Sequence, residues 1–187
     1  MNIGFAMCGS FCTFSQVFPI LELLSRDYTV TPIFSDSAST IDSRFGRARE
    51  HREAAAEICG GEPLCTIEAV EPIGPRKLFD ALIIAPCTGN TLAKLAHSIA
   101  DTPVTMAAKS HLRNGRPLVV AVSTNDGLAG AAENIGRLLA RKHYYFVPFG
   151  QDDARNKPTS LVADFSLIPQ TLELALDGLQ LQPLLLR

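Results

Sequence analysis

Asp80-Ala81-Leu82-Ile83-Ile84-Ala85-Pro86-Cys87-Thr88-Gly89-Asn90-Thr91 is the stretch that decides the fold. After Asp80 the residues through Ala85 are apolar without alternation. A strand with one wet face alternates, whereas a strand covered on both faces does not. The stretch therefore predicts a central strand of a parallel sheet with helices on both sides. Pro86–Asn90 ends it in small polar residues, and Thr91–Ile99 turns to helical spacing.

Outward from this strand the chain repeats strand, small-residue turn and helix, the pattern of βαβ units. Asn2–Met7 is a first strand, ended by Gly9-Ser10. A helix from Phe14 to Arg26 follows, with Val17, Ile20, Leu21 and Leu24 at helical intervals. Thr29–Phe34 is a second strand, and Pro32 assigns it to a sheet margin because proline donates nothing to a ladder. Asp36–Thr40 is predicted as a polar loop, Phe45–Cys59 as a charged helix stopped by Gly60-Gly61, and Leu64–Ile67 as a short strand. Glu71–Pro75 reads as a loop. Pro103 sits at a first helical position, and that helix ends at Asn114-Gly115. Pro117–Val122 is a strand, a helix runs from past Gly127 to about Lys142, and Tyr144–Val147 is the last strand. A polar loop, Gly150–Pro158, precedes a final helix near Leu167–Leu176. The expected architecture is one α/β domain over 1–187, three-layered and doubly wound. Its mostly parallel sheet has six strands and is Rossmann-like.

The 187 residues carry 17 basic and 19 acidic side chains, a net charge of -2 that excludes a strongly basic nucleic-acid face. With 47% hydrophobic residues a real core is available, and 19% charged residues excludes a disordered tail or scaffold. Such sparse surface charge points to contact between subunits, hence a homo-oligomer. Cys8, Cys12, Cys59, Cys65 and Cys87 are odd in number and form no C-x-x-C pair, which reads as reduced thiols and no metal site. The N-terminus lacks a signal-peptide pattern, and no apolar run of about 18 residues spans a membrane. A cytoplasmic location is expected. The apolar Leu179–Leu186 stretch is predicted to pack on the core or on a partner.

Ligands of open parallel sheets bind beyond the carboxyl ends of the strands. Three loops rich in small polar residues occupy that position: Cys8–Thr13, Pro86–Thr91 and Ser123–Gly127. Each leads into a helix N-terminus, where free N–H groups and the dipole favour an anion such as phosphate. Simple N-capping explains any one of them equally well. No G-x-G-x-x-G follows the first strand and no G-x-x-x-x-G-K-[ST] exists, so the usual dinucleotide and P-loop fingerprints are absent. His51, His97, His111 and His143 lie on predicted helices or helix ends, away from these loops, and read as surface or capping residues.

A Gly-Ser loop after the first strand, Pro86-Cys87-Thr88-Gly89-Asn90-Thr91 and a later Thr124-Asn125 resemble the flavin-containing cysteine decarboxylase-like flavoproteins. Within that family, a closer likeness is to the B subunits of dipicolinate synthases. It rests on Gly9–Thr13, Asp42–Gly46, Glu71–Pro75, Ile84–Asn90, Ala107–Lys109, Leu112–Pro117, Ala121–Asp126 and Tyr145–Asp153, in order along nearly the whole chain. The resemblance implies one component of a two-chain enzyme, which works with an NAD(P)-binding A subunit to oxidise dihydrodipicolinate to dipicolinate in sporulating bacteria. It also implies assembly as a trimer or a multiple of trimers. FMN is the implied cofactor, held by Gly9, Ser10 and Thr13, by Pro86, Thr88, Gly89, Asn90 and Thr91, by Ser123, Thr124 and Asn125, and by Ser35. The segment Asp36–Arg44 has no histidine where the decarboxylases carry one, so cysteine-conjugate decarboxylation is not expected.

A pyridine dicarboxylate calls for cationic clamps, preferably bidentate arginines. Arg44, Arg113 and Arg116 are the candidates, with Lys109 as a point charge; for each the alternative is ordinary surface charge. Asn90 offers a donor and an acceptor together, suited to a flavin ring edge, against a plain turn role. Asp126 is a candidate general base, weighed against an Asp-Gly turn. No residue is assigned as catalytic. The alternative functions are an independent FMN-dependent decarboxylase or prenyltransferase, and a non-catalytic accessory chain.

Overall fold

A computed structural model describes residues 1–186. Its centre is strand β3 (Ala81–Cys87), buried at every position. The Ile and Leu side chains of such a strand each contribute about 1.5–3 kcal/mol by leaving water. On one side β3 pairs in parallel with β1 (Asn2–Met7), and β1 with the edge strand β2 (Thr29–Phe34). On the other side it pairs with β4 (Leu118–Thr124), and β4 with β5 (Tyr144–Phe146). The parallel order is β2-β1-β3-β4-β5. Pro32 sits on the edge strand, as its missing N–H requires.

Helices α1 (Phe14–Asp27), α3 (Ala48–Cys59) and α8 (Ile168–Leu176) form one covering layer. Helices α4 (Ile67–Val70), α5 (Gly89–Ala96), α6 (Pro103–Leu112) and α7 (Ala132–Leu139) form the other. In α1 the buried residues are Phe14, Val17, Leu21 and Leu24, the apolar stripe of a 3.6-residue period. Ile20, on the flank of that stripe, is half-buried.

The architecture is the expected three-layer, doubly wound α/β domain, and its sheet has seven strands. The Leu64–Ile67 segment contributes only a single bridge, Leu64 to Ile33, because Thr66 already caps α4. Two further short strands flank the expected loop Gly150–Pro158. Beyond β5 the chain makes β6 (Phe149–Gly150) and β7 (Leu161–Ala163), an antiparallel pair joined by residues 151–160. β7 docks on the last residues of β4, with Ser123 opposite Val162 and Thr124 opposite Leu161. These strands are two and three residues long, too short for periodicity to show in sequence.

Smaller differences have local causes. Asp36–Thr40 is a helical turn, α2, because the Ser35 hydroxyl accepts the Ala38 N–H at 3.2 Å. α3 starts at Ala48 because Ser43 and Gly46 exchange hydrogen bonds and the Asp42 carboxylate takes the Ala48 N–H. α7 starts at Ala132, after a run of turns that begins at Asn125. His111 is buried rather than superficial, 1% exposed, with Nε2 bonded to the Pro117 carbonyl at 2.9 Å. Of the C-terminal apolar stretch, Leu181 is buried and Leu185 bridges to Phe149 while staying exposed. No helix among the described residues is long and apolar enough to cross a membrane.

Candidate functional site

β1, β3 and β4 are parallel, so their carboxyl ends share one rim. From β1 the chain goes outward to β2 and then returns across β1 to β3. Strand order therefore reverses between β1 and β3, which is where such sheets leave a crevice. A cleft of about 500 Å³ lies at this rim, lined by Gly9, Ser10 and Thr13, by Thr88 and Gly89, and by Ser123, Thr124 and Asn125. The three small-residue loops do converge.

Hydroxyls hold the loops together. Ser10 Oγ and Ser123 Oγ meet at 2.7 Å, and Thr13 Oγ1 donates to the Ser10 carbonyl at 2.8 Å. Thr88 caps α5 by accepting the Thr91 N–H at 3.3 Å. Thr91 is buried beneath, its hydroxyl donating to Cys8 Sγ at 3.3 Å. Burial pushes the Cys8 thiol up to about 11 and raises Cys87 as well, so neither is a thiolate nucleophile. Gly89 matters by what it lacks: a Cβ there would lie 2.7 Å from Thr124 Oγ1 and 2.8 Å from Asp126 Oδ1. Only glycine lets the second and third loops approach this closely.

Other predicted residues take different places. Pro86 is buried, and its carbonyl accepts the Cys8 N–H at 3.2 Å. Ser35 donates its N–H to the Met7 carbonyl and caps α2, outside the cleft lining. Asn90 is exposed on the outer side of α5's first turn and does not line the cleft. Asp126 is exposed, and its carboxylate accepts the Thr124 hydroxyl within the turn, so the turn role replaces that of a base.

The expected cationic clamp is not assembled at this cleft. Arg44 is exposed and stacks its guanidinium 4.8 Å over the Phe45 ring. Phe45 helps line a smaller hollow of about 200 Å³ beside the first loop, with Phe11, Phe14, Phe18 and His51. Lys109 and Arg113 lie at the opposite rim, around a separate hollow. Arg116 bonds to the Phe79 and Lys77 carbonyls and lies 3.5 Å from Asp80, also at the amino ends of the strands. The reason is topological. Lys109, Arg113 and Arg116 all precede β4 closely, and a residue just before a parallel strand sits at its amino end.

The outer wall of the cleft comes from the β6–β7 connection: Asp152, Lys157, Ser160 and Val162. Among the described residues, Lys157 is the one cation that lines it, 3.3 Å from Asp152 Oδ2. The Ser160 hydroxyl, and then Lys157, hold the Asp152 carboxyl below the usual range. The sequence reading missed this wall; its one signal was the apolar run Leu161-Val162-Ala163 closing a polar loop. Among the described residues no group of three or more His, Cys, Asp or Glu is placed to hold a metal ion. The arrangement suits an anion: hydroxyl donors, helix N-termini and one ammonium around a polar hollow.

A family model described as Flavoprotein matches residues 1–143. The B subunit of dipicolinate synthase from Bacillus subtilis (strain 168) is 44% identical over 185 residues, covering 98% of this chain and 92% of its own. The crystal structure of the dipicolinate synthase B subunit from Bacillus halodurans C superposes with a TM-score of 0.91 at 42% identity, covering 100% of this chain and 96% of the other. An FMN-dependent cysteine decarboxylase, SpaF, shares the fold at a TM-score of 0.68 and 22% identity, over 94% of this chain and 97% of its own. The match to the family model stops before the β6–β7 wall, whereas the two dipicolinate synthase chains match through it.

Proposed function

Because this chain belongs to the flavoprotein family and is a homologue of the dipicolinate synthase B subunit, we propose that it fills that place in such an enzyme. In this reading it works in the cytoplasm with an NAD(P)-binding A subunit to oxidise dihydrodipicolinate to dipicolinate during sporulation. The oxidation releases one electron pair and two protons; the electron pair and one proton end as a hydride on the partner's nicotinamide, and the other proton passes to solvent.

The observation that carries the reading is the meeting of three hydroxyl-bearing loops at the switch point of the sheet. Their residues fit FMN at its phosphate end. Ser10, Thr88, Ser123 and Thr124 offer hydroxyls, the first turns of α1 and α5 offer N–H groups, and Gly89 leaves room for close approach. Lys157, released from Asp152, supplies the balancing charge. A flavin in this cleft supplies two-electron redox chemistry. The same reading includes self-assembly, as a trimer or a multiple of trimers.

The test mixes the purified chain with its NAD(P)-binding partner and follows dihydrodipicolinate oxidation by nicotinamide absorbance, alongside a visible spectrum of the chain. Full rate only with both chains, and a flavin band, are expected. Full rate from either chain alone refutes the two-chain assignment, and a chain that neither carries nor takes up FMN refutes the cofactor.

A further inference from the structure

The hollow at the amino rim of the sheet lies at the far end of the strands from the three-loop cleft. We propose that it is a second ligand site, for a small molecule with a flat apolar body and two carboxylates. Its volume is about 390 Å³, within the range of small-molecule sites. It sits below the C-terminal end of α5, which packs against α6 on one side and α7 on the other. Leu95, Ile99, Leu112 and Tyr144 supply an apolar lining.

Cations stand on both flanks, and among the described residues no carboxylate lines the hollow. Lys109 and Arg113 are one turn apart at the end of α6; Arg141 and Lys142 follow α7 on the other flank. Bases near helix C-termini commonly just balance the dipole. Arg141 does so, donating to the Leu95 and Ala96 carbonyls at 2.9 and 2.5 Å. Lys109, Arg113 and Lys142 have no hydrogen-bond or ion-pair partner among the described residues, so their charge faces the hollow unanswered. Two flanking sets of cations with an apolar floor between them match one carboxylate on each edge of a ring.

The backbone adds an independent observation. Among the described residues three non-glycine residues have positive φ, and two of them, Ser98 (φ 59°) and His143 (φ 69°), line this hollow. Ser98 closes α5 in the position where glycine is the inexpensive choice. Strained positions of this kind cluster where ligands bind. Nothing in this assignment requires a flavin in the other cleft.

The experiment titrates isophthalate, with benzoate as the one-carboxylate control, into the full-length chain by calorimetry. Saturable isophthalate binding is expected, at least tenfold weaker in K109E/R113E and tenfold tighter than benzoate. K157A, in the far cleft, is expected to bind isophthalate unchanged. If the double variant loses its thermal transition, K142E, on an exposed side chain, carries the same expectation. Absence of binding, or parental affinity in both charge-reversed variants, overturns the site. Equal affinity for benzoate overturns the two-carboxylate ligand, and loss of binding in K157A places the anion in the other cleft instead.

Discussion

Gly89→Ala tests the cleft where it is tightest. The new Cβ would stand 2.7 Å from Thr124 Oγ1, against an ordinary contact of at least 3.4 Å, so the hydroxyl must shift by about 0.7 Å. Thr124 Oγ1 is tied to Asp126, and Asp126 Oδ1 is itself 2.8 Å from the same Cβ, so the two side chains must turn away together to make room. Overpacking of this kind costs about 1–3 kcal/mol. Alanine in the first turn of α5 returns roughly 0.5–1 kcal/mol of backbone entropy. The net loss of stability is therefore small, from nearly nothing to about 2.5 kcal/mol. Ligand binding suffers separately, because the displaced Thr124 hydroxyl forfeits a hydrogen bond worth about 0.5–1.5 kcal/mol, roughly 2- to 13-fold in affinity. The assay is quenching of FMN fluorescence on titration, with thermal unfolding run in parallel. Gly136→Ala is the control: a Cβ there meets nothing within 4 Å, and the change is expected to stabilise the chain and leave binding alone. Undiminished FMN affinity in Gly89→Ala would show that the ligand does not lie between the second and third loops.

Three further outcomes follow from the geometry. Burial pushes the His111 imidazole down to about 4 from 6.5, so the native state stays neutral where the unfolded chain takes up a proton. Stability is then whole above pH 6.5 and falls as pH drops toward 4, by about 3 kcal/mol at 1.36 kcal/mol per pH unit. Urea midpoints at pH 7 and pH 5 measure that slope, and His111→Gln should flatten it. Thr88→Ala removes the cap of α5 and should cost about 0.5–2 kcal/mol in urea unfolding, with weaker FMN binding. Leu82→Ala, at a fully buried position of the central strand, should cost about 2–5 kcal/mol with the spectrum of any bound flavin unchanged; a loss below 1 kcal/mol would count against the core described here.

The apolar run at Asp80–Ala85 was enough to place a doubly wound sheet, because burial on both faces erases alternation and leaves few other readings. The three loops were legible for the same reason: in parallel strands a residue's place before or after the strand fixes which rim it occupies. That rule, applied to Lys109, Arg113 and Arg116, also puts them before β4 and hence at the far rim; chemistry of the side chains alone had suggested otherwise. The β6–β7 wall was not legible. Its strands are two and three residues long, and they exist because β4 offers unpaired backbone at Ser123 and Thr124, a long-range condition with no local trace. His111 was misread as superficial because its one partner, the Pro117 carbonyl, comes from tertiary packing.

β4 is a forked rail. Its first half is zipped to β5 in one direction, and its tip to β7 in the other. The tip is also where Ser123 and Thr124 face the cleft, so the hairpin that pairs with their backbone is also the outer wall of the hollow they line. A guest that enters or leaves past Lys157 strains four residue pairs of short ladder, two at the tip and two between β6 and β7. Val162 stands opposite Ser123 on one side and Gly150 on the other, so amide exchange there measures how firmly the wall is held.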